Sequence, residues 1–309
     1  MGGAPVTDVL KAANIEAMAH DPDVAHIAID RNRVISSRKI DGFEVELDEH
    51  AEGVRLRMIV REGVVISKPA HLCFGVLAKE ALQRIEIDFT VEPGGSIPVV
   101  AHCVFPAARE VRHIMDARIT VAEGASSSYF ERHIHSDYGG VVVVPKARIS
   151  LGSGARFRTE FELLRGRVGL IDIDYETTCG ERSVMEMTAR VSGSADDLIK
   201  IRETGLLAGA HSTGVLTSRV AVRGKARAEV FNKLIADAPY ARGHVDCKEI
   251  VQDDASANAV PIVEVRNPRA HVTHEAAIGS VDSKQLETLM SRGLTEDEAS
   301  DLIIQGLLS

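Results

Sequence analysis

The sequence predicts a mainly-β chain with short helices at both ends, and three observations support this prediction. From Arg33 to about Thr273, apolar and polar residues alternate with period two in a long series of short segments, as in strands with one buried face. Gly-rich corners separate these segments. Aromatic residues make up only 4% of the 309 residues and tryptophan is absent, so the core must be built from Val, Ile, Leu and Ala.

The N-terminal residues 6–20, VTDVLKAANIEAMAH, carry apolar side chains near helical spacing, which predicts a short helix. The strand segments that follow include VISSRKI, FEVELDE, GVRLRMIVREGVVIS, RIEIDFTVE and ARITVAEG. Together with the C-terminal pattern described below, they predict an N-terminal helical segment 1–30, a β core 31–280 and a C-terminal helical segment 281–309.

Four of the Gly-rich corners end in alanine, at Ala125, Ala155, Ala195 and Ala226, which are 30, 40 and 31 residues apart. This regularity is typical of coils wound around a stacked aliphatic core. An ordinary β-sandwich also contains short strands and Gly turns. The pattern alone leaves both architectures open.

Two helices are predicted after the last strand. DSKQLETLMSRG has Asp282 or Ser283 as N-cap and Gly293 as C-terminal stop. TEDEASDLIIQGLLS begins with a capping box from Thr295 to Glu298. The apolar face of this second helix consists of Ala299, Leu302, Ile303 and Leu307. A helix pair this short cannot bury that face by itself, so we expect it to pack on the β core, on a partner, or on both.

Composition argues against several classes of protein. The formal net charge is −9 and no basic cluster offsets it, which argues against nucleic-acid binding. No apolar run approaches the ~18 residues that span a bilayer, and the first residues do not resemble a secretory signal. Four cysteines without a CxxC pair argue against an all-cysteine zinc site. We therefore expect a cytoplasmic protein with reduced thiols and no membrane partner.

Two cysteine–histidine pairs lie in the first half of the chain. His71 and Cys73 are two residues apart and therefore share one face of a strand, where they could act as soft-metal ligands. A buried cysteine beside a packed histidine is the favoured interpretation, because a lone pair is a weak signal. His102 and Cys103 are adjacent, so on a strand they face opposite ways and a joint site is disfavoured.

A histidine pair follows in ERHIHSDYGG. His133 and His135 share a face, Glu131 precedes them, and the arrangement is similar to the metal-binding strand of cupins. No second motif follows with the remaining cupin ligands. A surface or structural histidine pair is therefore the favoured interpretation.

The fourth constellation lies between residues 240 and 276. It contains a thiol, imidazoles and a carboxylate, which are ligands that an iron or iron–sulfur site would use, at His244, Cys247, His271, His274 and Glu275. Their spacing is not a compact metal motif. A site would form only if neighbouring coils brought residue 247 close to residue 274, and the residues alone favour a role without metal.

The stretch THEAAIGSVDSKQLETLMSRGLTEDEASDLIIQGLL resembles the C-terminal signature of the SufB/SufD family, the scaffold proteins of the Suf iron–sulfur cluster assembly system. PIVEVRNPRAHVTHEA, GRVGLIDIDYE and IRETGLLAGAHSTG extend the resemblance over nearly all of residues 30–309. The combination of a cysteine with His-Glu-Ala places the chain closer to the SufB side. The resemblance implies a right-handed parallel β-helix followed by a small helical domain, and so favours coils over a sandwich.

The resemblance also implies site residues and partners. The essential cysteine of the family falls at Cys247, and its His-Glu pair at His274 and Glu275, which would hold a nascent cluster transiently at a scaffold dimer interface. No permanently bound cofactor is expected. The helical tail would dock on a SufC-type ABC ATPase, and the chain would pair with itself or in a SufB/SufD-type heterodimer and serve apo acceptor proteins. Candidate docking residues are Leu286, Leu289, Leu302, Ile303 and Leu307.

Two other functions remain open. One is a structural adaptor that binds the ATPase and holds no cluster. The other is a β-helix enzyme acting on acidic polysaccharides, for which Asp253 and Asp254 are the only tight acidic pair in the later coils. That pair is typical of a solvated turn, and GSGA lacks the Lys-Ser/Thr of a nucleotide-binding P-loop, so we expect a non-enzymatic protein.

Overall fold

The alternating segments form two parallel β-sheets that face each other across an aliphatic core. This computed structural model describes residues 3–13, 15 and 21–309. Sheet A contains ten strands: β1 (His26–Asp30), β2 (Arg33–Arg38), β5 (Ala70–Gly75), β7 (Ser96–Phe105), β9 (Ser126–His135), β11 (Arg156–Arg165), β13 (Val184–Gly193), β15 (Thr213–Val222), β17 (Arg242–Val251) and β19 (His271–Gly279). Sheet B contains nine: β3 (Phe43–His50), β4 (Gly53–Val60), β6 (Glu80–Val91), β8 (Glu110–Val121), β10 (Val141–Leu151), β12 (Leu170–Cys179), β14 (Leu198–Leu207), β16 (Arg227–Ala236) and β18 (Ser256–Val265).

Successive strands from β5 onward alternate between the two sheets, so each coil contributes one strand to each sheet. The strands are parallel and in register: Ser96 pairs with Ser126, and Ser126 pairs with Arg156. The chain is therefore a parallel β-helix, and the alternative of a sandwich is wrong. Antiparallel pairs, β1 with β2 and β3 with β4, close its N-terminal end.

The corners fall into two columns, which explains the irregular alanine spacing. Ala125 and Ala155 end corners that lead from sheet B to sheet A, whereas Ala195 and Ala226 lie in corners that lead from sheet A to sheet B. Ala195 is exposed, with φ +53, and its counterpart in the next coil is Gly224, with φ +70. The 40-residue spacing therefore joins unlike positions, and the true repeat stays near 30 residues throughout.

Helix α1 (Gly3–Ala12) covers part of the outer face of sheet A near its N-terminal end. Val9 and Leu10 are buried there against Ala28, Cys73 and Val104. The predicted helix 6–20 thus starts earlier and ends at Ala12, and residues 14 and 16–20 of that prediction lie outside the described residues.

Helices α2 (Ser283–Met290) and α3 (Glu296–Leu308) follow β19. The side chain of Asp282 accepts a hydrogen bond from the Gln285 N–H at 2.8 Å, and Thr295 and Glu298 form a reciprocal capping box, so both predicted helix starts are confirmed. Among the described helices, none is long and apolar enough to cross a lipid bilayer.

The predicted apolar face of α3 is only partly correct. Ala299 is buried as predicted, together with Ile304 and Leu308, which pack beside Ala221 on the outer face of sheet A. Leu302 is 47% exposed. Apolar residues occupy five of the positions from 302 to 308, so the sequence pattern does not choose which side of the helix faces the β-helix.

The predicted fold class, mainly-β with a parallel β-helix, a short N-terminal helix and two C-terminal helices, is confirmed. The core is aliphatic as the composition predicted, with buried columns of Val, Ile, Leu and Ala facing inward from both sheets.

Gly140 and Gly124 offer a matched test of corner packing. Both have positive φ, at +79 and +63, so alanine at either position adopts a conformation that costs about 1–2 kcal/mol. A Cβ at residue 140 would also collide with the Arg109 carbonyl oxygen, whereas residue 124 has open space. We expect Gly140→Ala to lower the free energy of unfolding by about 1–3 kcal/mol more than Gly124→Ala in urea titrations. Equal losses would contradict this account of the corner.

Candidate functional site

Cys247 lies on β17 with its side chain inside the β-helix, fully buried between Val245 and Glu249 on the inward face. Its register partners are Ser218 on β15 and Ala276 on β19. Because β19 is the last strand of sheet A, a single strand lies between the Cys247 thiol and the C-terminal end of the β-helix.

Polar groups surround Cys247 inside an otherwise apolar core. The Asn232 Nδ2 group donates to the Cys247 Sγ at 3.7 Å, and the Ser218 hydroxyl donates to Glu249 Oε1 at 3.3 Å. Glu203 is also buried. Three of their oxygens find no hydrogen-bond partner among the described residues. We call this set the C-terminal polar cluster: Glu203, Ser218, Asn232, Cys247 and Glu249.

Burial dominates the ionisation of this cluster. Removal from water raises the pKa of Cys247 to about 11 and that of Glu203 to about 8, because the charged forms lose their hydration. The same effect raises the pKa of Glu249 to about 7. In the closed β-helix, Cys247 is therefore a protonated thiol.

His274 and Glu275 lie on opposite faces of β19. His274 pairs with Val245, whose side chain points inward, so His274 belongs to the same inward face as Cys247. It is nevertheless exposed, because no described coil covers it. Glu275 points outward, with its Oε1 3.5 Å from the Lys248 Nζ. The structure thus places Cys247 and His274 on one face and Glu275 on the other.

The other histidines of the predicted constellation lie away from Cys247. His244 occupies an outward position, and its Nδ1 lies 2.7 Å from the Thr273 hydroxyl. His271 is exposed at the start of β19. Asp253 is a corner residue with φ +57 whose carboxylate accepts a hydrogen bond from the Gly224 N–H at 2.9 Å, which fits the predicted turn.

Three of the five predicted docking residues line a shallow groove between α2 and α3. Leu289, Leu302 and Ile303 line this groove, and Leu307 is half-buried nearby. Leu286 turns toward the β-helix, where it packs with the buried side chain of Val281. All five predicted residues are at least partly accessible from outside, and Leu302 is the most exposed of them.

A second polar cluster lies inside the N-terminal half of the β-helix, and sequence reasoning missed it. One ligand atom from each of Cys103, Glu131 and His133 lies within 4.8 Å of the others, and all three residues are buried. The Cys103 Sγ is also 3.7 Å from the His113 Nε2. We call the full set the interior His–Cys cluster: Gln83, Cys103, His113, Glu131, His133 and His135.

The sequence contained part of the signal for this cluster. His102 and Cys103 face opposite ways, and Glu131 shares a face with His133, as the period-two alternation predicts. The sequence pattern did not give the strand register, in which Cys103 pairs with His133 one coil later. The favoured interpretation of a surface or structural pair did not anticipate this interior partnership.

The remaining pair, His71 and Cys73, lies on the outer face of sheet A. Cys73 is buried in apolar contact with α1, and the His71 ring stacks on that of His102 with centroids 5.9 Å apart. This agrees with the favoured interpretation of a buried cysteine beside a packed histidine.

Comparisons with known proteins agree on one family. The model of the SufBD core domain of SUF-system FeS cluster assembly matches residues 78–307. An iron–sulfur cluster assembly SufBD family protein of Methanocaldococcus jannaschii is 35% identical over 282 residues, which cover 91% of this chain and 89% of the relative. One from Pyrococcus horikoshii is 33% identical over 303 residues, covering 98% and 92%. The iron–sulfur cluster assembly protein SufB of Bacillus subtilis is 35% identical over 72 residues, covering 23% and 16%.

Glu203 gives the molecule a testable pH dependence. Its pKa is about 8 in the folded chain against the usual 4.5, so between these values the folded chain holds a proton that the unfolded chain has lost. The free energy of unfolding should therefore fall as pH rises from about 5 to about 8, by up to about 1.4 kcal/mol per pH unit. Glu203→Gln should flatten this slope in urea titrations, and Glu176→Gln, an exposed control, should not. Identical slopes for parent and Glu203→Gln would contradict the assignment.

Proposed function

The chain belongs to the SufBD family of the SUF iron–sulfur cluster assembly system, and on that basis we propose that it is a scaffold that holds a nascent cluster before transfer to acceptor proteins. The observation that carries this proposal is the placement of Cys247 and His274 on one inward face, at the last two strands of sheet A. The cluster is the cargo of this scaffold and not a resident cofactor.

The donor set suits transient binding. The Cys247 thiolate and the His274 imidazole are ligands that iron and iron–sulfur clusters accept, and a carboxylate adds a harder oxygen ligand. Glu275 lies on the outer face of β19, so it joins the other two only when the terminal strand turns or separates. An incomplete, mixed ligand set holds a cluster less firmly than four thiolates would, which favours its release.

Access to Cys247 requires movement of β19. The thiol is buried and protonated in the closed molecule, whereas iron binds the thiolate. Only residues 280–282 separate β19 from α2, so a force on the helical tail reaches the strand that covers Cys247. The tail is anchored by the Arg223–Asp301 ion pair at 2.9 Å and by Ile304 and Leu308.

A SufC-type ABC ATPase is the partner that we propose for the helical tail. The groove of Leu289, Leu302 and Ile303 supplies accessible apolar contacts for it. ATP-driven movement of this partner would displace the tail, open the coil at β19 and expose the cluster ligands. Catalysis would then belong to the ATPase, and the chain itself would be non-enzymatic.

A second SufBD-family chain, identical or related, is the partner that we propose for the C-terminal end of the β-helix. No strand in the described part of the chain pairs with the outer edges of β18 and β19. Val265 and Ile278 are exposed there at 49% and 47%. Free strand edges with apolar side chains favour pairing with another sheet, which would enclose the cluster ligands in a water-poor interface.

The free state of all four cysteines supports a reducing location, and we propose the cytoplasm. An adaptor that binds the ATPase without holding a cluster is the second candidate function. The complete burial of Cys247 favours that candidate, and the following experiment separates the two.

Cys247→Ala should remove most of the iron–sulfur absorption that develops when the chain is incubated anaerobically with iron, sulfide and the ATPase partner. The reason is that Cys247 is the cysteine on the strand that pairs with β19, where His274 lies. Cys179→Ala is the matched control, because Cys179 is equally buried but lies on β12 of the opposite sheet. Equal cluster yields from both variants would favour the adaptor.

Leu302→Glu should weaken co-purification of the ATPase by at least about tenfold, since it places a charge in the apolar groove. Leu82→Glu is the matched control, because Leu82 is 46% exposed against 47% for Leu302 and lies at the other end of the molecule. Retention of the ATPase by Leu302→Glu would show that the tail groove is not the docking site.

A further inference from the structure

We infer that the interior His–Cys cluster binds one divalent transition-metal ion, with Cys103, Glu131, His113 and His133 as ligands. This site is separate from the proposed cluster site: Glu131 and Cys247 occupy one inward column of sheet A, with Phe161, Ala189 and Ser218 between them. The inference does not depend on the proposed scaffold function.

The hydrogen bonds of Gln83 determine which ring nitrogen of His113 carries the hydrogen. The Gln83 Nε2 group donates to the carbonyl oxygens of Arg31 and Gly75, at 2.7 and 3.1 Å, so the Gln83 Oε1 must face His113. That oxygen lies 2.8 Å from the His113 Nδ1, which therefore carries the hydrogen and donates. The His113 Nε2 is left with a free lone pair directed at Cys103.

The tautomer of His133 follows from a similar relay. The Arg167 carbonyl oxygen can only accept, so the His135 Nδ1, 3.1 Å away, carries a hydrogen and the His135 Nε2 does not. The His133 Nδ1, 3.2 Å from that nitrogen, must then donate to it. The His133 Nε2 therefore turns a lone pair toward Glu131. All three imidazoles are buried, and burial disfavours their charged forms, which would lose their hydration.

Three atoms with lone pairs therefore converge, because the ligand atoms of Cys103, Glu131 and His133 all lie within 4.8 Å of one another. The His113 Nε2 adjoins this group through the Cys103 Sγ. The His133 Nε2 lies 2.7 Å from Glu131 Oε1, and the Cys103 Sγ lies 3.8 Å from Glu131 Oε1 and 3.7 Å from the His113 Nε2. Atoms with lone pairs approach one another this closely only if positive charge lies between them. Two protons, one on the thiol and one on the carboxyl, supply it in the metal-free chain.

One divalent cation can replace both protons without changing the net charge. The thiol and the carboxyl each release a proton, and the resulting thiolate and carboxylate balance the two positive charges of the ion. This balance is decisive here, because Phe105 and Phe161 wall the cluster and an uncompensated charge is costly in such a dry site. The remaining carboxyl oxygen, Glu131 Oε2, finds no hydrogen-bond partner among the described residues.

The chemical types of the ligand atoms determine which metal ions fit the site. One sulfur, one oxygen and two imidazole nitrogens suit Zn²⁺, Fe²⁺ or Co²⁺, whereas Mg²⁺ and Ca²⁺ prefer oxygen alone. In a tetrahedral site with bonds of about 2.0–2.3 Å, ligand atoms lie roughly 3.5 Å apart. The separations of 3.7 and 3.8 Å to the Cys103 Sγ already match. On metal binding, the 2.7 Å contact between Glu131 and His133 must widen, and the His113 Nε2 must move closer to the Glu131 and His133 ligand atoms.

Cobalt(II) binding tests the inference, because thiolate-bound Co²⁺ absorbs strongly in the near ultraviolet. Metal-free protein is titrated with Co²⁺ in the folded state and also refolded from denaturant with Co²⁺, since a buried site can exclude the ion once the chain is folded. We expect one Co²⁺ per chain with a thiolate charge-transfer band under at least one of these conditions. Absence of the band under both would overturn the inference.

Matched variants assign the ligands. Cys103→Ser should abolish the charge-transfer band, and Glu131→Gln, which retains the thiol, should weaken binding by at least about tenfold. Cys179→Ser, which changes a buried cysteine outside both polar clusters, should leave the band and the stoichiometry unchanged. Loss of the band in Cys247→Ser with retention in Cys103→Ser would place the metal at the C-terminal end and overturn the inference, while agreeing with the proposed role of Cys247 as a cluster ligand.

The Gln83→Met substitution tests whether Gln83 positions His113 for metal binding without binding the metal itself. Without the Gln83 amide oxygen, His113 loses the acceptor that fixes its tautomer, so Co²⁺ affinity should fall by about 10–100-fold while the thiolate band remains. An unchanged affinity would remove His113 from the ligand set.

Discussion

The backbone hydrogen bonds between parallel, in-register strands determine where every side chain of this molecule lies. Each coil adds about 30 residues, and its two strands continue the inward and outward columns of the previous coil. A residue placed inward therefore meets the inward residue one coil earlier and one coil later. Such a pairing joins Cys103 with His133 in one polar cluster and Ser218 with Cys247 in the other. Contacts across the core between the two sheets complete both clusters.

Such columns also explain how an aliphatic core can contain two polar clusters. Each buried polar group without a partner costs about 1–3 kcal/mol. In a solenoid, stability is nearly a sum of contributions from coils and from their contacts with neighbours. The coils between the two polar clusters carry Phe161, Met187 and Leu216 facing inward. The unfavourable polar groups are therefore confined to two short stretches of the β-helix. Because these groups oppose stability, a binding role is the better physical reason for their presence.

The sequence predicted the properties that depend on local pattern and missed those that depend on register. Alternation gave the strands and the faces of His102 and Cys103, and the capping box marked the start of α3. Cys103 and Glu131 could not be joined from the sequence, because that step requires the coil length, which the spacing between Ala155 and Ala195 obscured. Family resemblance selected Cys247, His274 and Glu275. Alternation along β19 turns the adjacent His274 and Glu275 to opposite faces, and the pairing of β17 with β19 assigns His274 to the face of Cys247.

The two ends of the β-helix differ in a way that bears on how a buried cysteine can act. The N-terminal edges are antiparallel strands rich in charge, where Arg33 and Glu49 pair at 2.9 Å and Arg61 and Glu44 at 2.6 Å, and such edges resist pairing. Strands β18 and β19 each carry one charged residue other than histidine, which makes the C-terminal end the better edge for the proposed association. Cys247 lies one strand below that end. This depth keeps the thiol protonated while the coil is closed, and in the proposed function the adjacent strand β19 is the one that moves to expose it.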